Sequence, residues 1–141
     1  MNTTTLVMLL QFAAILHLGL ACAGLTMPKV VAMPTHVATL PPFLRQLFYT
    51  YFTFIALMLV SFGVLTFLFA GNIAAGEPAA RGLCVLMLVF WTVRLFVAAF
   101  VFDVRPYLTT TLLRLGYHAT NAVFIYLVVV YALAALKGGR L

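Results

Sequence analysis

Carboxylates are almost missing from this chain: Glu77 and Asp103 are the only two in 141 residues. Two acids cannot build the oxygen-rich cage that calcium or magnesium demands. Serine is scarcer still, with Ser61 alone. The chain also has no G-x-S-x-G, no glycine-rich phosphate loop and no H-E-x-x-H, so the usual covalent-hydrolase, P-loop and zincin devices are absent. Cys22 and Cys84 are the only cysteines. Each stands inside an apolar run with no C-x-x-C or Cys/His spacing, which predicts two buried structural thiols rather than a redox pair. Charge as a whole is thin, 7% of residues against about 25% in a soluble domain. That excludes an ordinary globular enzyme, a disordered chain and a soluble nucleic-acid binder.

What fills the chain instead is apolar: 66% of residues are hydrophobic and the mean hydropathy is +1.20. A soluble chain of this length leaves too much of its surface in water to hide that content. Lipid can solvate it. The net charge of +6 comes from basic residues scattered singly at segment ends. They are expected to anchor the chain among anionic head groups, with no role in nucleic-acid binding.

Four long apolar stretches are separated by turn-forming residues. They cover about Thr5–Leu25, Leu47–Ala70, Gly82–Phe102 and Leu113–Leu136. Each supplies the ~20 residues that a helix needs to cross ~30 Å of hydrocarbon. The ~10-residue alternating segments of a membrane barrel are absent. Met27–Pro42 carries Pro28, Pro34 and the Pro41-Pro42 pair and reads as a loop. Gly71–Arg81 and Asp103–Pro106 read as the second and third loops. The expected fold is all-α: an integral membrane four-helix transmembrane bundle, with residues 1–141 as a single membrane domain. The first stretch has no basic residue before it, so it reads as a transmembrane helix rather than a cleaved signal peptide.

Four spans place both termini on the same side, with the second loop. That side carries Arg81, Lys137 and Arg140, and the other carries Lys29, Arg45, Arg105 and Arg114. The near tie gives the positive-inside rule little to act on. The uncharged N-terminus followed by Lys29 and Arg45 leans towards termini outside and loops one and three in the cytoplasm. The expected address is the cell inner membrane.

Polar side chains collect towards the end of the bundle that carries loops one and three. His17 and Arg94 each lie eight residues before the expected end of their helix, hence ~12 Å deep. On the fourth helix Arg114, His118 and Asn121 fall at i, i+4 and i+7, and on the second Gln46, Thr50 and Thr53 do the same. Ala13, Ala14, Ala21 and Gly24 surround His17 with small residues, which marks a helix-packing face. Trp91 and Arg94 lie one turn apart. Turned inward, these stripes form a polar pocket from His17, Arg94, His118, Asn121, Tyr117, Thr53 and Trp91.

Arg94 is the most informative of them. A guanidinium at membrane depth is costly unless paired or hydrated. Glu77 belongs to the opposite surface, and Asp103 lies nine residues further along the same helix on its far side. Snorkelling is hindered, because helical side chains lean towards their own N-terminus. The expected partner of Arg94 is an anionic ligand group (carboxylate, phosphate or propionate), a tyrosine or carbonyl, or an acid from another subunit.

Three functions follow. The first is a non-catalytic accessory or ligand-binding subunit that holds an amphipathic anionic ligand, a lipid or a partner helix at this pocket, the partner being another membrane subunit or a further copy. The second is a redox subunit, in which His17 and His118 ligate a b-type haem axially, Arg94 pairs with a propionate, or a quinone takes the same place. The third is a membrane enzyme acting on a lipid or isoprenoid substrate with His118 or Asp103 as acid or base. It has the least support, since no acid–base pair is formed by spacing. A three-histidine metal site from His17, His36 and His118 is the remaining metal option.

Overall fold

The computed structural model describes residues 2–137. Four of its helices are long and apolar enough to cross a membrane, and among the described residues there is no strand. The spanning helices are α1 (Thr3–Val30), α3 (Pro42–Leu68), α5 (Pro78–Phe100) and α6 (Thr111–Lys137). Two short helices, α2 (Met33–Ala38) and α4 (Ala70–Ala75), fill the first two connections. The shortest span, 23 residues, is ~35 Å long and still exceeds the hydrocarbon thickness. The protein is an all-α, multi-pass membrane bundle.

The spans begin and end elsewhere than the sequence suggests, and proline is the reason. Pro42 and Pro78 stand at the starts of α3 and α5. The first turn of a helix has no use for the N–H that proline lacks, and its fixed φ suits the helix. These prolines therefore start helices that the sequence reading begins at Leu47 and Gly82. Pro28 lies inside α1, only two residues before its end at Val30. It removes one backbone bond in the last turn, and α1 runs five residues past the expected Leu25. Ala32 then takes a left-handed conformation, φ 47°, and turns the chain into α2. At the other end Gly76, φ 81°, closes α4, as glycine commonly does at a helix C-terminus.

The helices pack as two antiparallel pairs, α1 with α3 and α5 with α6, joined through α1 and α6. Lys137 Nζ donates to Thr3 Oγ1 at 2.9 Å, so the start of α1 and the end of α6 meet at one end of the bundle. The core consists of Leu6, Leu10 and Ala13 from α1, Cys84, Met87 and Trp91 from α5, and Leu127 and Tyr131 from α6, all buried. Cys84 is therefore the buried thiol expected. Cys22 is exposed, because the small-residue face of α1 that reaches a neighbour runs through Ala21 instead.

On α3 only Phe62, Gly63 and Thr66 are fully buried. Phe43, Tyr51, Phe54 and Leu57 on its first two-thirds are exposed, an outer face that suits lipid rather than water. Gly63 is where α3 meets α1 most closely. A Cβ there would stand 3.1 Å from the Ala14 carbonyl oxygen and 3.1 Å from His17 Cβ. Gly63→Val is expected to lower stability by ~1–3 kcal/mol through forced separation of α1 and α3. Gly19, with nothing within 4 Å of a Cβ, provides the control: Gly19→Ala should leave the thermal midpoint in detergent unchanged or slightly raised.

Candidate functional site

His17 lies thirteen residues before the end of α1, ~20 Å from that end. It lies further from the helix end than the sequence suggests, because α1 is longer. At this depth backbone and side-chain polar groups must find partners within the protein. His17 Nδ1 is 2.7 Å from the carbonyl oxygen of Ala13, one turn earlier on α1. Trp91 of α5 donates its indole N–H to His17 Nε2 at 3.1 Å. An indole nitrogen can only donate, so Nε2 accepts and the ring proton resides on Nδ1, which donates to Ala13. Both ring nitrogens are thereby engaged, and the side chain is fully enclosed.

Aromatic rings surround this pair edge-on. Phe62 lies 6.3 Å and Tyr131 6.1 Å from the imidazole, centroid to centroid. Phe62 also meets Phe90 at 5.1 Å, which brings α3 against α5. Tyr131 of α6 shares a hydrogen bond of 2.6 Å with Thr66 of α3. Tyr126 donates its hydroxyl to the Leu9 carbonyl at 3.0 Å, tying α6 to α1. Thr66, Tyr126 and Tyr131 are absent from the expected site. They fall at the end of the bundle that the sequence reading treats as apolar, and only their pairing across helices gives them away.

Arg94 lies one turn beyond Trp91 and is half-buried. Its guanidinium carbon stands 5.0 Å from the ring centre of Phe124 on α6 and 5.3 Å from that of Phe102, in the segment after α5. Phe124 also stacks on Trp91 at 5.4 Å, so one ring connects the enclosed imidazole–indole pair to the cation. Arg94 Nη1 is buried and has no hydrogen-bond partner among the described residues. Ring faces attract a cation but accept no conventional hydrogen bond. The two acids are engaged elsewhere: Glu77 Oε2 accepts from Asn72 at 2.9 Å, and Asp103 Oδ1 accepts from the Arg105 backbone N–H at 3.2 Å.

The seven expected site residues do not form one pocket. His17 and Trp91 are joined by a hydrogen bond, and Arg94 is linked to them through Phe124. Counting in opposite directions from the Trp91–Phe124 stack puts Asn121 level with Arg94. Asn121 is half-buried and donates to the Tyr117 carbonyl at 3.0 Å. Tyr117 is half-buried, while His118, whose ring lies 5.5 Å from that of Tyr117, is exposed. Thr53 is exposed and donates to Tyr49 of its own helix at 2.9 Å. Gln46, Thr50 and Arg114 are exposed too, and Arg114 Nε donates to the Leu108 carbonyl at 3.2 Å rather than pairing with Asp103.

The structure does not bring His17 and His118 together. His118 precedes Phe124 by six residues on α6, ~9 Å nearer the helix start, and faces outward. His36 is exposed on α2, and no three described His, Cys, Asp or Glu side chains are grouped closely enough to hold a metal ion. Two open apolar grooves, of about 450 and 310 Å³, lie on α3 and between α1 and α3. Neither is lined by any of the seven.

Trp91→Phe keeps the ring packing but leaves His17 Nε2 without its donor. Its expected cost is ~1 kcal/mol, read as a lowered midpoint of thermal or SDS unfolding. Because the penalty belongs to the stranded nitrogen, adding His17→Leu to Trp91→Phe should cost less than the sum of the two single changes. No protein-family model, curated protein or solved structure matches the chain.

Proposed function

We propose that the protein is a small non-catalytic subunit of a membrane assembly. Its role is to receive, at Arg94, the anionic group of an amphipathic lipid or of a partner helix. One observation carries this reading: Arg94 Nη1 is buried with no acceptor among the described residues. A charged group held inside a bilayer costs several kcal/mol unless it is compensated, so an unfilled guanidinium marks a place where something outside the chain contributes. Asn121 is level with it and supplies a neutral polar neighbour. A binding role is favoured over a redox role because both His17 nitrogens are already occupied. It is favoured over acid–base chemistry because the expected acid or base residues lie outside the enclosed centre, His118 exposed on α6 and Asp103 exposed and accepting from the Arg105 N–H. A helical bundle suits the cell inner membrane, since outer-membrane spans are typically barrels. The contact between Thr3 and Lys137 supports both termini on one side of it.

Arg94→Leu separates binding from stability. Removal of an uncompensated charge should raise the stability of the purified protein in neutral detergent by ~1–3 kcal/mol. Oleate or phosphatidic acid at saturating concentration should raise the thermal midpoint of the wild type by several degrees and leave that of Arg94→Leu unmoved. Equal responses of the two proteins, or none from either, would count against this function.

A further inference from the structure

We infer that the anion met by Arg94 is the carboxylate of an Asp or Glu carried within the bilayer on a transmembrane helix of a different polypeptide. This rests on the reading of Arg94 as an anion-receiving group and names the source of the anion. Depth is the first argument. Arg94 is six residues short of the end of α5, ~9 Å along the axis. Phe102, from the segment that leaves α5, stands over the guanidinium on the side from which a head group would descend. Phe124 closes the side towards α6. Arg94 itself is only half-buried, so part of its side chain remains accessible from outside the bundle. In a bilayer a free fatty acid keeps its carboxylate near the head groups, a restriction that detergent does not impose. A helix can fix a carboxylate at a chosen depth.

Chemistry is the second argument. The guanidinium is planar, and its N–H groups fit the two oxygens of a carboxylate side by side. The third argument is supply. This chain has two acids. Glu77 is bound to Asn72 at the far end of the bundle, and Asp103 caps the Arg105 N–H in the segment after α5. A second copy brings the same two groups, both engaged outside the span, so the acid comes from another protein.

The test uses the full-length protein, fluorescently labelled, in phosphatidylcholine vesicles. Its probe is a labelled Leu/Ala transmembrane peptide with lysine flanks, carrying a single Glu six residues below one interface. A control peptide carries Gln at that position. Energy transfer should show the Glu peptide associating at least tenfold more tightly than the Gln peptide. The preference should vanish in both Arg94→Leu and Arg94→Gln, the second variant guarding against a folding defect in the first. Equal association of the two peptides, or a Glu preference that persists in Arg94→Gln, overturns the inference. So does Arg94-dependent self-association of labelled copies without peptide. Stabilisation by oleate through Arg94 with no preference for the Glu peptide overturns the helix partner and leaves the anion reading intact. No Arg94-dependent response to either probe overturns both.

Discussion

The hydrogen bond from Trp91 to His17 is the constraint around which the bundle is arranged. Inside a bilayer the apolar faces of helices gain little by leaving lipid for each other, so packing detail and polar contacts hold spans together. Here one imidazole uses one nitrogen on its own helix and the other on α5. The Thr66–Tyr131 bond links α3 to α6, and the Tyr126 hydroxyl links α6 to α1. With the approach of Gly63 to Ala14 and His17, these contacts connect all four spans. They engage both imidazole nitrogens and the Thr66, Tyr126 and Tyr131 hydroxyls.

Arg94 stands in contrast one turn away. The ring of Phe124 touches both Trp91 and the guanidinium, yet the imidazole side of that ring is satisfied and the Arg94 side is not. A protein with two acids has almost nothing with which to neutralise a membrane-embedded cation. The scarcity of carboxylates that argues against an oxygen-rich metal cage is also what the proposed intermolecular compensation of Arg94 rests on.

Much of this was legible in the sequence. Composition and four apolar runs were enough for the fold. Small residues around His17 correctly marked a packed face, and the Trp91–Arg94 spacing put the central pair and the cation on adjacent turns. The limits of the spans were less visible, because proline at a helix start looks like proline in a loop until its partners are known. The expected site and the structure differ in helix phase. On α6 the inward row runs through Tyr117, Asn121, Phe124, Leu127, Tyr131 and Ala134. His118 and Arg114 stand off that row, although their spacing to Asn121 is also helical. On α3 the inward row passes through Phe52, Ala56, Leu59, Gly63 and Thr66 and leaves Gln46, Thr50 and Thr53 outside. Polar residues at regular spacing show that a stripe exists. Which stripe faces inward depends on the neighbouring helices.

The enclosed His17 is the part of this account that a single measurement can address most directly. Nitrogen-15 solid-state spectra of the histidine-labelled protein in bilayers report the protonation of each ring nitrogen, with a His17→Leu sample assigning the resonance. The expected result is a neutral ring with its proton on Nδ1 and an accepting Nε2 that changes when Trp91 is replaced by Phe. A proton on Nε2, a doubly protonated ring, or an Nε2 signal indifferent to Trp91 would contradict it.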